Sequence, residues 1–254
     1  MADSALTAEL AALGVGPGPP LLVHAALGGT GLDADALRDA LLTVLGPGGT
    51  LAVPAFTPAN STTSQAHLDR IRGMTPDQVR AFRAAMPAFD PASTPSQGMG
   101  RLAESVRTAE GAVRSDHPQT SFAAVGARAA ELLADHPLTS HLGWESPLGA
   151  LCRAEARVLM INVDFSVCTA FHLAEYHPDA PRRSYSCVVR SPDGGKKWTT
   201  YEDVVLDDSE FDTIGADFPD RLVRLGQLVG RRARLFPIKA AIRHAGRWMS
   251  EKRR

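Results

Sequence analysis

The sequence predicts an α/β fold, a three-layer-like mixed sheet with a parallel βαβ core and an antiparallel C-terminal extension. Leu21-Leu22-Val23-His24 and Thr50-Leu51-Ala52-Val53 are compact apolar runs, the pattern of strands buried on both faces. Between them, residues 33–45 repeat apolar side chains at helical spacing, with Leu37, Leu41, Leu42 and Leu45 on one face. Strand, helix and strand at this spacing form a βαβ unit, which makes the two strands parallel. After Ser184 the pattern becomes that of a hairpin, with strands at 186–190 and 198–206 about a turn at Pro192-Asp193-Gly194-Gly195.

The other elements follow in order. Residues 3–13 read as a short amphipathic helix, capped by Asp3 or Ser4 and stopped at Gly14. Residues 14–20 form a Gly/Pro connector, and Gly46-Pro47-Gly48-Gly49 ends the crossover helix. Residues 57–99 are irregular and polar, with one helix near 76–85; a loop of that length is usually functional or disordered. A helix is expected at 100–108, a third strand at 158–163, and a helix at 168–176 closed by His177-Pro178. The tail beyond Arg221 is basic and ends in a helix containing Ile242 and Trp248. With no internal repeat, the expectation is one domain over residues 1–254.

Composition excludes several classes of partner. A net charge of −1 gives no global attraction to nucleic acid or to an anionic membrane. No apolar run reaches the roughly 20 residues of a membrane span. Met1-Ala2-Asp3 opens without a signal-peptide pattern, and Cys152, Cys168 and Cys187 lack metal-type spacing, so a cytoplasmic protein with free thiols is expected. There is no GxSxG elbow, HExxH, paired CxxC or GxxxxGK[ST] loop, and Gly28-Gly29-Thr30-Gly31 falls short of a dinucleotide fingerprint. The Q/R-x-x-G-x-G/A loop of the GNAT acetyltransferases is also missing, and no metal is expected.

His172 follows a buried strand, at the kind of strand end where α/β folds place ligands. Glu175, three residues on, shares its face and could orient the imidazole, contact a cation, or serve only as a helix partner. Glu202, Asp203, Asp207, Asp208, Glu210, Asp212 and Asp217 form an acidic run without one Lys or Arg, either a solvated face or a surface for a cationic ligand. His24 reads as structural and Cys168 as a small filler.

Several segments carry a family resemblance. They are Leu22-Val23-His24-Ala25-Ala26-Leu27, Gly46-Pro47-Gly48-Gly49-Thr50-Leu51-Ala52-Val53-Pro54-Ala55-Phe56-Thr57, and Phe89-Asp90-Pro91-Ala92-Ser93-Thr94-Pro95-Ser96 leading to Met99-Gly100 and Glu104. Val113-Arg114-Ser115-Asp116-His117-Pro118, Ser146-Pro147-Leu148-Gly149 and Cys168-Thr169-Ala170-Phe171-His172-Leu173-Ala174-Glu175 follow in order. Together they resemble the aminoglycoside 3-N-acetyltransferase family, whose patterns include HSSL, GPGGTLVMPTFT and NTSLHLAE.

The resemblance implies direct acetyl transfer from acetyl-CoA to the 3-amino group of an aminoglycoside, an antibiotic-resistance activity, with His172 as general base. It implies a supporting carboxylate from the acidic run, best matched by Glu210, with Asp208 and Asp212 as rivals. Acetyl-CoA would be held by Ala25, Ala26, Leu27, Gly28, Gly29, Thr57, Arg107, Val113, Arg114 and Ser115. Here Arg107 and Arg114 would bind phosphate, and backbone N–H groups from Ala26 to Gly28 would serve the pantetheine or the oxyanion. The substrate side would comprise Asp164, Thr169, Glu175, Asp208 and Asp212, in a monomer or homodimer.

Ala25 and Ala26 replace two serines of the family pattern, Ala170 replaces a hydroxyl, and Asn162-Val163-Asp164 stands where GVG is common. These changes leave His172 in place and keep open a different amine acceptor, or a non-catalytic binder of CoA or cationic sugars.

Overall fold

A computed structural model describes residues 2–253. Strands β1 (Leu21–Ala25) and β2 (Thr50–Pro54) lie parallel, with Leu21 beside Leu51. Helices α1 (Ala2–Leu13) and α2 (Ala34–Leu45) precede them, α2 being the crossover. Asp33 starts α2 by accepting from the backbone N–H groups of Asp35 and Ala36. Gly46 ends it at φ 73°, a conformation that glycine adopts without strain. The third parallel strand, β5 (Arg157–Ile161), pairs along the whole of β1.

The parallel core is flanked on both sides. On one, β4 (Phe122–Gly126) runs antiparallel to β2 and carries the short β3 (Val113–Arg114). On the other, β9 (Arg231–Pro237) runs antiparallel to β5 and carries β8 (Arg224–Leu228). The seven-stranded order is therefore β3-β4-β2-β1-β5-β9-β8. This relocates the expected antiparallel extension. The hairpin β6 (Arg182–Arg190) and β7 (Lys196–Val204) forms its own two-stranded sheet, while the basic tail supplies two strands of the main one.

Alternation along the strands divides the core into two layers of helices. Leu21, Val23, Leu51 and Val53 pack with Leu10 of α1, Leu37 and Leu41 of α2, and Leu102 and Val106 of α5 (Gly100–Arg107). Leu22, Ala52, Val158 and Met160 face the other way, against α6 (Ala129–Leu132), α7 (Pro147–Arg153) and α9 (Ile238–Lys252). The irregular segment contains α3 (Gln65–Ile71) and α4 (Pro76–Ala85) between β2 and α5. It is tied to the hairpin by bridges Ser61 to Cys187 and Phe89 to Val189. Among the described residues no helix is long and apolar enough to cross a membrane.

Candidate active site

A cleft of about 420 Å³ opens at the carboxyl ends of β1 and β2. Its floor includes Ala25, Ala26, Pro54 and Phe56; Met99, Gly100 and Ala103 form one wall, and Val163, Thr169, His172 and Phe211 the other. Gly100 permits the close approach of α5: it sits at φ 82°, and a Cβ there would lie 3.2 Å from the Ala25 carbonyl oxygen.

His172 and Glu175 lie on a 3-10 segment, Thr169–Glu175, where the sequence suggested an ordinary helix. The tighter winding superposes residues three apart, which brings these two side chains together. His172 Nδ1 lies 2.7 Å from Glu175 Oε2, so Nδ1–H donates to the carboxylate and Nε2 carries the lone pair. Nε2 has no hydrogen-bond partner among the described residues, and the ring lines the cleft beside Phe211, with centroids 4.6 Å apart. Glu175 is buried, and its other oxygen accepts from the Asp207 N–H at 3.0 Å and from Arg253 Nη1 at 3.0 Å.

Glu210, the family-matched partner for the base, is not on His172. It binds Arg253 Nε at 2.5 Å, and Arg253 stands between it and Glu175. The rest of the acidic run is similarly dispersed. Asp212 accepts from the Ser166 N–H at 2.7 Å, Asp217 from Trp248 Nε1 at 2.8 Å, and Asp203 is buried in the hairpin. Of the run, Asp208 is the residue that reaches the cleft lining. Asp164 turns outward to ion pairs with Arg232 and Arg234.

Of the residues assigned to acetyl-CoA, Ala25 and Ala26 line the cleft. Leu27 packs into the core and Gly28 and Gly29 continue as a turn. The Ala26 N–H is engaged by the Ile161 carbonyl at 3.0 Å. The two arginines chosen for phosphate are internal. Arg107 grips Glu104 at 2.9 and 2.8 Å. Arg114 donates to the carbonyls of Ala55 and Thr94 and to Ser121 Oγ, with its guanidinium over the Phe89 ring. Burial lowers its pKa to about 10, which still leaves it charged. Ser115 Oγ contacts His136 Nδ1 and accepts from the Phe122 N–H, Thr57 donates to the Pro118 carbonyl, and Val113 belongs to β3. The polar groups of Arg107, Arg114, Ser115 and Thr57 are thus each engaged by protein partners.

Other arginines surround the strand-end loop: Arg101, which the sequence reading does not single out, and those of the basic tail, read there as solvated surface that could add contacts to the CoA phosphates. Arg101 donates to the Leu27 carbonyl at 3.0 Å and Arg231 to that of Gly29 at 2.6 Å, with Arg232 and Arg234 next along β9. The signal was the basic tail, whose pairing with β5 was not legible. His24 also lines the cleft; it is buried, its Nε2 has no partner among the described residues, and burial lowers its pKa to about 4, keeping it neutral. Cys168 is sealed and its thiol is pushed up to about 12 by burial, so it carries no thiolate.

A second histidine–carboxylate pair lies under the hairpin. His141 Nδ1 is 2.6 Å from Asp203 Oδ2, which also accepts from Tyr176 OH at 2.8 Å. His117 lies between His136 and His141, its ring centroid 4.6 Å from each of theirs and tilted to both.

The cleft and its histidine can be set beside known proteins. The sequence model for aminoglycoside 3-N-acetyltransferase matches residues 22–250. The chain belongs to that family. The SPbeta prophage-derived aminoglycoside N(3')-acetyltransferase-like protein YokD of Bacillus subtilis is 31% identical, over 96% of this chain and 90% of its own. Aminoglycoside N(3)-acetyltransferase VII of Streptomyces paromomycinus is also 31% identical, over 97% of this chain and 91% of its own. The YokD crystal structure matches with a TM-score of 0.90 at 30% identity, covering 98% of this chain and 99% of that one. The structure of AAC-IIIb binary with CoASH matches at 0.84 and 28% identity, covering 98% and 96%. As a member of the family the chain is an enzyme of the acyltransferase class.

Proposed function

We propose that the protein transfers an acetyl group directly from acetyl-CoA to the 3-amino group of an aminoglycoside, with His172 as general base and Glu175 as the carboxylate that holds it. The observation that carries this reading is His172 Nε2, unpartnered at the cleft while Nδ1 is fixed by Glu175. An ammonium has no lone pair, so the acceptor reacts as the free amine, its first proton already released to solvent, and its nitrogen sheds a second proton as it bonds to the thioester carbon. Nε2 takes that proton, and Glu175 stabilises the imidazolium. Collapse of the tetrahedral intermediate breaks the C–S bond and expels the thiolate of CoA.

Acetyl-CoA is assigned because the relative AAC-IIIb is seen with CoASH and the cleft fits it chemically. A mainly apolar slot suits the pantetheine arm, and the cations Arg101 and Arg231 at the loop suit its phosphates. With the Ala26 N–H engaged, those of Leu27 and Gly28 remain as the loop's donors toward the acyl oxygen. Asp208 offers a carboxylate to an incoming ammonium.

One observation favours a second acceptor class. Polycations are usually met by several carboxylates, yet of the acidic run Asp208 is the residue at the cleft lining. An amine with fewer positive charges fits that count. Thiol release from acetyl-CoA, measured with 2-deoxystreptamine aminoglycosides and with simple monoamines, separates the two. Turnover with an aminoglycoside, and a product acetylated at N3 by NMR, supports the first reading. Turnover confined to monoamines replaces it with the second.

A further inference from the structure

We propose that Arg253 is a positioning residue for the base, clamping Glu175 and thereby setting how readily the His172–Glu175 pair takes up a proton. This inference rests on the reading of His172 as the base.

Arg253 reaches in from the end of α9, and its side chain is only 25% exposed. Nη1 is 3.0 Å from Glu175 Oε1, Nε is 2.5 Å from Glu210 Oε2, and Nη2 donates to the Asp207 carbonyl at 2.8 Å. All three nitrogens of the guanidinium are therefore used, one on the segment that carries the base and two on the loop before Phe211. The Glu175 carboxylate is divided between two partners: one oxygen serves the imidazole, the other the guanidinium and the Asp207 N–H.

A carboxylate as buried as Glu175, with only an imidazole beside it, would draw a proton onto the pair. Its negative charge would otherwise sit uncompensated away from water. A guanidinium stays charged at all relevant pH values. By cancelling that charge through Oε1, it opposes proton uptake by the pair, while Oε2 still fixes the tautomer.

The surroundings make Arg253 the decisive charge. From the loop before α8 (Phe211–Ala216), Asp207 and Asp208 face this region, and Glu210 stands at the helix start; all are acidic. Asp212 is turned to the Ser166 N–H, and on α9 His244 is turned to the Ile214 carbonyl. Loss of Arg253 would leave the pair among carboxylates. Proton uptake would become easier, whichever atom of the pair held the proton.

The test compares Arg253→Ala and Arg253→Lys with the wild type. Histidine-labelled protein is titrated by NMR, and the His172 signal is assigned by its loss in His172→Asn. The expected result is an upward move of the His172 titration midpoint by about one pH unit in Arg253→Ala, the lower end of a neighbouring-charge effect because the guanidinium is partly solvated. Arg253→Lys should recover most of that move. The acid limb of kcat/KM should follow the same shift, so the alanine variant loses rate along that limb and regains it on the alkaline side. Arg253→Gln supplies the same readout where the alanine variant does not fold. An unmoved or lowered midpoint, with rate lost equally at every pH, overturns the proposal and leaves Arg253 a purely structural tether. A raised midpoint with no acetyl transfer to any amine would retain the clamp while removing the acetyltransferase reading.

Discussion

Two histidine–carboxylate pairs in this molecule have nearly the same geometry and opposite surroundings. His172 and Glu175 meet at 2.7 Å, His141 and Asp203 at 2.6 Å. The His172 side chain is 13% exposed and its distal nitrogen opens on the cleft; that of His141 is 0% exposed. His141 Nε2 lies 3.2 Å from the Gln119 side-chain amide and 3.4 Å from Tyr201 OH, and its backbone N–H also binds Asp203. Asp203 further holds Tyr176, the residue directly after the 3-10 segment that carries His172. The sealed pair is a brace between the hairpin and that segment. The open pair leaves one nitrogen facing the cleft. A carboxylate orients an imidazole in both places, and access to the cleft separates them: under the proposed function, the open pair does the chemistry.

The largest expected effect tests the open pair. His172→Asn should reduce kcat/KM by about 10²–10⁴-fold, the usual contribution of a general base, with acetyl-CoA affinity by calorimetry unchanged. The sealed pair should answer in stability. His141→Ala leaves the buried Asp203 without its ring partner, and such a break typically destabilises by about 3–5 kcal/mol, measurable by denaturant unfolding.

Acid should expose the same contrast. Burial holds His24 at about 4 and His136 at about 3, against the ordinary 6.5. The unfolded chain therefore binds more protons than the folded one below pH 6.5. Stability is fully present above that value and falls as pH drops toward the folded values, by on the order of 1.4 kcal/mol per pH unit for each of these histidines. Unfolding midpoints measured from pH 7 to 5 should fall steadily, and His136→Asn should flatten the slope. The smallest effect is expected for Asp208→Asn, whose carboxylate is exposed. The KM for a cationic amine should rise only a few-fold, in line with about 1 kcal/mol or less for a solvated ion pair, while kcat stays unchanged.

The parts of this arrangement legible in the sequence were the local ones. Leu21-Leu22-Val23 and Thr50-Leu51-Ala52 announced buried strands, and the leucines of α2 announced the crossover, because periodicity reports burial directly. His172 with Glu175 was legible as a pair three residues apart, although the 3-10 winding was not. Strands β8 and β9 were hidden because arginines at 224, 231, 232 and 234 obscure any apolar alternation, and β9 pairs with a strand more than seventy positions earlier. Long-range partners were likewise unreadable. Nothing near Arg114 says that its guanidinium will bind carbonyls at 55 and 94, and nothing near Arg253 points to Glu175. Charged residues advertise their type locally, but the fold chooses their partners.

The most direct measurement is acetyl-CoA-dependent thiol release per folded molecule in His172→Asn and His141→Asn, read beside their melting temperatures. His172→Asn should lose about 100-fold or more at a nearly unchanged melting temperature. His141→Asn should melt earlier while its folded fraction turns over at close to the wild-type rate. Wild-type turnover by His172→Asn, or loss of chemistry in fully folded His141→Asn, would contradict the division between an open, reactive pair and a sealed, bracing one.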